Sequence, residues 1–490
     1  MIDREERGTR RDRRRRRQGG GRDTHSPRGI STRRVLLVVL VLVLGAGALA
    51  AYRILARQPY TVVLVVVDTV RRDSLGCYGH PRNPTPHIDA LAAEGIRFDT
   101  AISTSGWTLP AMGSLVTGAW PTIHGAMGKQ VILAPMREEL PTIAEILSEQ
   151  GYNTLGFANA AFVSPMLGFD RGFDVFSHRH AYTGEVRRAD ETIRAAVSAI
   201  RARRSEANFV FIHLFDPHLD YDPPPGYETK FAVERKELPP PLGMQDIMDL
   251  TTDGGKGPPV PADIAYVQAI YQGEINFADE QIGNLVHELK KMGLYDRTLL
   301  IVTADHGEEF WEHNGFEHGH TLYDELIRIP LVIKLPADIL PARRIVDTQV
   351  RILDIAPTVF DLLGMERPES FAGRSLMPLI MGQSSDDRIA YVESTLYGTD
   401  KLAWREKRFK YILDLHPETE VPVELYDLEA DPGETNNLVA ARPKVAHRLR
   451  ADLINFHNEL AGESKTMSTP EIIDMSPDVV ENLKSLGYIR

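Results

Sequence analysis

The sequence predicts an α/β protein built on a mostly parallel sheet with helices on both faces, followed by a region of short strands. Three observations carry this. Three apolar runs end in polar groups: Tyr60–Val67 before Asp68, Asn208–Phe215 before Asp216, and Thr298–Ala304 before Asp305. Uninterrupted β-branched runs are how strands buried on both faces read. Helical patterns lie between the runs, at Leu140–Gln150, Ala189–Arg203 and Asp263–Met292, the last stopping before Gly293. Beyond about residue 395 the pattern shortens to Leu402–Arg405, Phe409–Leu413 and Glu424–Leu428. Alternating strands and helices give a sheet of this class, and ligands sit at the carboxyl ends of its strands. The polar groups that end the three runs should therefore converge on one edge.

The chain has 490 residues, 43% hydrophobic and 25% charged, enough for a large core or two lobes. Its one cysteine, Cys77, excludes an internal disulfide and any cysteine-based metal site. Residues 1–34 carry 13 arginines against 5 acids, a local excess of 8, so the remainder holds −20 of a total of −12. This arm is too polar to fold and is expected to be a disordered cytoplasmic segment. Val35–Tyr52 follows without a charge. As a helix it spans ~27 Å, about one bilayer core. The arginine excess before it sets the N-terminus inside and the rest of the chain outside. Ala48-Leu49-Ala50 resembles a signal-peptidase site, and Thr32–Leu37 a twin-arginine export signal. The length of the apolar run and of the arm favours a retained single-pass anchor over 35–56. Arginines abutting such a segment read anionic lipid rather than nucleic acid.

Five segments carry chemistry. In Val67-Asp68-Thr69, a carboxylate tips a buried strand, which is costly unless it meets a cation; Asp68 is a metal-ligand candidate. In Gly106-Trp107-Thr108-Leu109-Pro110-Ala111-Met112, Thr108 opens a short helix that closes at Thr117-Gly118. Its hydroxyl is a poor nucleophile alone, but metal coordination and a helix N-terminus both favour the alkoxide. The plainer reading of Thr108 is an N-cap ahead of Pro110. His213 lies inside the second run and reads as a structural histidine, whereas His218 follows it in Asp216-Pro217-His218. Asp305-His306-Gly307 ends the third run, where carboxylate and imidazole on one turn can both reach a divalent ion such as Mn²⁺, Mg²⁺, Ca²⁺ or Zn²⁺. The fifth segment, His313–Glu325, holds His318 and His320, suited to binding an oxyanion or a second metal. Pro239–Pro261 is rich in Pro and Gly and reads as a surface insertion, a lid candidate.

Taken in order, these segments resemble the sulfatase family of the alkaline-phosphatase superfamily over roughly residues 60–440. The resemblance implies an alkaline-phosphatase-like sandwich over 57–395 and a small antiparallel-sheet subdomain over 396–490. It also implies an enzyme acting on phosphoric or sulfuric esters. In the family the nucleophile loop reads Cys-x-Pro-x-Arg. Here Thr108 and Met112 stand in those places, so no formylglycine is expected. The resemblance assigns Asp68, Thr108, Asp305 and His306 to one divalent metal ion and His218 to the leaving group. His318 or His320 takes the place of the family's sulfate-binding lysine. The family's Gly-Lys-x-His segment has no counterpart, leaving Lys129 and Asn159 as substitutes for oxyanion binding. The single-metal set is similar to that of lipoteichoic-acid-synthase-type phosphoglycerol transferases. The expected reaction is therefore cleavage or transfer of a phosphoester or phosphodiester group outside the cytoplasm. A sulfuric ester hydrolase and a catalytically inactive binding protein are the alternatives.

Overall fold

The structure, a computed structural model, describes residues 59–473 except 130–131, 180–186, 232–237, 253–256 and 416–422, together with Leu36, Val39, Leu40, Val43 and Val480. The chain divides into units of 1–57 and 58–490. In the first unit the four described residues are helical and exposed. The expected basic arm, and the expected anchor apart from those four residues, lie outside the described residues. Among the described residues no helix is long and apolar enough to cross a membrane.

The second unit is built on an eight-stranded sheet. Its order is Ile345–Val346, Ile96–Phe98, Leu331–Lys334, Thr298–Thr303, Thr61–Val67, Asn208–Leu214, Asn153–Ala158, Val175–His178. Thr61–Val67 runs parallel to both of its neighbours. Asn153–Ala158 is likewise parallel to the strands beside it. Only Leu331–Lys334 opposes its partners. The three apolar runs are thus adjacent central strands, and Val62–Val66 have no exposure at all. Their lack of alternation follows from burial on both faces. Val66 lies between His213 and Thr303, so these three strands end level with one another.

The helices form close to the expected spans. Thr142 accepts from the Glu145 N–H while Glu145 caps back, so the first begins only at Ile143 and ends at Glu149. The second is Ala189–Ala202. The third is Pro261–Lys291, two residues earlier than expected because Pro261 suits a first turn.

The short strands near the C-terminus form an antiparallel sheet of four, Ala390–Glu393, Lys401–Arg405, Phe409–Asp414 and Val423–Asp427. Leu449, Leu453 and Leu460 of the helix Pro443–Ser464 join Trp404, Tyr411, Leu425 and Trp120 in a separate core. Within the Pro239–Pro261 insertion, Leu242 pairs with Tyr221 and a short helix forms at Met244–Asp249. The insertion is therefore docked beside the chain that follows Asn208–Leu214.

Candidate active site

The carboxyl ends of the three central strands deliver the site. Asp68 directly follows Val67 and Asp305 follows Thr303 by two. Asp68, Asp305 and His306 are fully buried and bring one ligating atom each within 4.8 Å of one another. His306 Nε2 stands 3.5 Å from Asp68 Oδ1 and from Asp305 Oδ2. Neither oxygen of Asp68 has a hydrogen-bond partner, nor does Asp305 Oδ2. Buried carboxylates are paired or bind cations, so three orphaned oxygens fit a divalent ion. Burial, then the charges of Asp305 and Glu308, raise the Asp68 carboxyl well above its ordinary value. A cation at this point would reverse that pressure.

Thr69 follows with φ at 55°, a region that a β-branched residue enters only under constraint. Its N–H faces Asp305 Oδ1 at 3.3 Å and its carbonyl accepts from Tyr271 Oη. The turn that aims Asp68 is therefore fixed from two sides.

Thr108 is the first residue of the helix Thr108–Thr117, every residue of which is buried. Trp107 is the N-cap and offers no side-chain cap, and Gly118 closes the helix in the left-handed region. The N-cap reading of Thr108 is thus replaced: its Oγ1 stands 3.2 Å from His306 Nε2. Met112 belongs to the main core. His124 is wedged between Ser114 Oγ and the Pro110 carbonyl, at 3.2 and 3.1 Å. Gly113 makes room for it, since a Cβ there would come within 2.5 Å of the ring.

The histidines divide into two groups. His218 and His318 pack edge to face at 5.0 Å, and His318 lies 4.4 Å from the His306 ring. His218 Nδ1 donates to the Leu219 carbonyl at 2.7 Å, and burial followed by the neighbouring His318 pushes its pKa well down. His318 Nδ1 meets Glu308 Oε1 at 2.9 Å, and Glu308 Oε2 accepts from Tyr221 Oη at 3.0 Å. His320 turns away and pairs with Glu309 Oε2 at 2.8 Å. Glu309, His313 and Glu325 also bring ligand atoms close together, but hydrogen bonds already engage them: His313 Nδ1 with Glu325 at 2.5 Å, and Glu309 with His320.

The two oxyanion substitutes also separate. Asn159, at the end of Asn153–Ala158, is buried and donates to Thr192 Oγ1 and the His213 carbonyl, leaving its Oδ1 without a partner. Lys129 is held by the 395–400 loop, through Thr395 Oγ1, the Gly398 carbonyl and Asp400. Two residues were undervalued in the sequence. His213, taken as structural, stands 3.5 Å from Asp68 Oδ2, with both ring nitrogens unpartnered and a pKa lowered to about 4 by burial. Glu308 ties His318 to Tyr221, and burial pushes its carboxyl up to about 8. Sheet register was the available signal for His213, because it places that residue level with Val66, two before Asp68.

Comparison with known proteins bears on the family and the fold. The Sulfatase family model matches residues 60–365, and the model for the C-terminal part of N-sulphoglucosamine sulphohydrolase matches 311–459. An uncharacterized sulfatase, YidJ, of Escherichia coli is 28% identical over 77% of this chain and 82% of its own. Human arylsulfatase A is 27% identical over 82% of this chain and 88% of its own. The solved phosphonate monoester hydrolase of Agrobacterium radiobacter shares the fold, with a TM-score of 0.66, 22% identity, and coverage of 82% of this chain and 96% of its own.

Proposed function

This chain is a hydrolase of the sulfatase family, and we propose that Thr108 is its nucleophile and that it cleaves or transfers a phosphoester or phosphodiester group. The observation that carries the reading is the position of Thr108 Oγ1. It sits at a helix N-terminus, 3.2 Å from His306 Nε2, which itself stands 3.5 Å from two orphaned carboxylate oxygens. Asp68, Asp305, His306 and Thr108 itself would hold a divalent ion. When bound, such an ion supplies positive charge that favours a deprotonated hydroxyl and offsets the charge of the ester.

The side chains then divide the work. His306 Nδ1 donates to the Gly307 carbonyl at 2.9 Å, which turns its Nε2 lone pair toward Thr108. Thr108 Oγ1, its proton released to solvent, forms the new bond to phosphorus while the bond to the departing alcohol breaks in line with it. Helix N–H groups left without a side-chain cap receive the equatorial oxygens. Because His218 Nδ1 is committed to Leu219, its Nε2 is the atom that exchanges a proton with the departing oxygen. Burial disfavours the charged ring and an anionic ester beside it favours it, and the protonated ring passes its Nε2 hydrogen to the departing oxygen. Water or an alcohol then releases the phosphoryl group from Thr108. Extracytoplasmic placement belongs to the same proposal and rests on the apolar run after the arginine arm.

A sulfuric ester is the second reading, favoured by the names of the relatives. Against it, threonine cannot become formylglycine and Met112 stands where the family's loop has arginine. The decisive assay compares aryl phosphodiester with aryl sulfate, with and without a chelator. Chelator-sensitive phosphodiester turnover should fall about 10⁴-fold in Thr108→Ala, and mass spectrometry of quenched enzyme should find a phosphorylated Thr108. Strong sulfate turnover with weak phosphodiester turnover would overturn the reading.

A further inference from the structure

A cavity of about 320 Å³ opens beside His218, lined by Phe215, Asp216, Asp220, Asp222, Glu274 and Arg188, among others. Four carboxylates thus face one guanidinium. That guanidinium is already committed, because Arg188 pairs with Asp222 and donates to its carbonyl at 2.8 Å. Asp216 Oδ2 accepts from the Ala189 N–H at 2.9 Å. Glu274, only 3% exposed, receives the Asp222 N–H at Oε1, and its Oε2 has no partner.

A buried carboxylate with an orphaned oxygen, beside a second buried carboxylate, is unfavourable unless a cation compensates it. Burial raises Asp216 to about 6, and burial followed by the charge of Asp216 raises Glu274 well above its ordinary value. Both groups resist ionising unless a cation meets them. Phe215 stacks on His218 at 4.5 Å and contributes an apolar wall next to the atom that meets the departing oxygen. The cavity therefore lies where the alcohol portion of an ester would extend.

We propose that this cavity is a subsite for a protonated amine carried on the leaving alcohol of the substrate, with Glu274 and Asp216 as its counter-charges. The inference rests on the ester-cleaving reading above and adds the chemical class of the leaving group. A neutral polyol would fit the volume but would leave the acidic wall uncompensated.

The test uses the full chain loaded with a divalent ion and two pairs of substrates. Each pair joins a 4-(aminomethyl)phenyl ester to its 4-(hydroxymethyl)phenyl analogue, one pair as methyl phosphodiesters and the other as sulfates. Within whichever series turns over, kcat/KM should favour the ammonium ester by about 30-fold, the range of a charge-assisted contact. Glu274→Gln should reduce that ratio at least about tenfold. An equal or reversed ratio in the unaltered protein, or an unchanged ratio in Glu274→Gln, would overturn the proposal. If the sulfate series alone turns over, the phosphodiester reading fails while the ratio still decides this one. Should Glu274→Gln not fold, competition in the unaltered protein decides. Benzylammonium should inhibit 4-nitrophenyl ester turnover at least about tenfold more strongly than benzyl alcohol, and equal inhibition would overturn the proposal.

Discussion

Two buried charged regions of this protein follow opposite rules. Around Lys410 the charges are paired, although burial still raises Glu434 to about 7. Its ammonium has no exposure and lies 3.0 Å from Asp324 and 2.7 Å from Glu434, while Arg405 pairs with Asp324 at 2.7 Å. Burial acts to raise Asp324, but the Arg405 and Lys410 charges outweigh it and hold that carboxyl well below the usual range. At the ends of the central strands Asp68 is equally buried, has no matching cation, and is pushed the other way. Burial alone therefore does not mark a functional carboxylate. A carboxylate oxygen with neither a hydrogen bond nor a Lys or Arg beside it is the added sign, because its desolvation goes uncompensated within the fold.

The most direct way to break the contrast is to unbalance the matched region. Lys410→Met leaves Asp324 and Glu434 short of a counter-charge and should cost about 3–5 kcal/mol in urea unfolding. A loss below about 1 kcal/mol would show that Arg405 alone carries the cluster. A smaller effect tests its edge. His313 is raised to about 9: burial opposes its charge, but the Glu325 hydrogen bond and charge overcome it. Its folded pKa lies above the unfolded one, so this stabilisation is complete below about pH 6.5 and disappears as pH rises through 9. His313→Gln should thus lose about 2 kcal/mol at pH 6 and almost nothing at pH 10, allowing for partial solvent screening. A loss independent of pH would assign His313 a packing role only.

In the unmatched region the sign should reverse. Asp68→Asn keeps the shape and removes the uncompensated charge. Metal-free protein should then become more stable by about 1–2 kcal/mol while divalent-ion binding is lost. Calorimetry with and without chelator checks both. Destabilisation of the metal-free variant would mean that Asp68 has a partner within the fold.

The same contrast explains what the sequence could and could not reveal. Asp68 and Asp305-His306 were legible because each ends a strongly apolar run, where a polar residue has few structural excuses, whereas Thr108 was legible only through its place in a loop resembling the family's nucleophile loop. His213 was not, because a histidine inside such a run looks like core until the strand register sets it beside Asp68. Glu308 carried no signal of its own, since its role comes from His318 and Tyr221, ten and eighty-seven residues away. The separation of His318 from His320 depends on which carboxylate, Glu308 or Glu309, each ring reaches, and spacing does not encode that. The four-stranded C-terminal sheet was visible as short strands, though its first member, Ala390–Glu393, precedes the expected boundary near 395.

Lys129 gives the smallest expected effect and sharpens the comparison most. The lack of a counterpart to the family's Gly-Lys-x-His segment made it a substitute oxyanion-binding candidate, yet its ammonium is matched in the manner of Lys410. It meets Asp400 at 2.8 Å and Thr395 Oγ1 at 2.8 Å, with about a third of the side chain exposed. A cation already neutralised by a carboxylate has little field left for a substrate, and a half-exposed pair contributes little to stability. Lys129→Ala should therefore change kcat/KM by less than about threefold and stability by less than about 1 kcal/mol. A loss of about 100-fold in kcat with KM unchanged would place its charge at the transition state. The 395–400 loop would then have to release Lys129 when substrate binds, and a matched buried charge would no longer be a safe sign of a structural one.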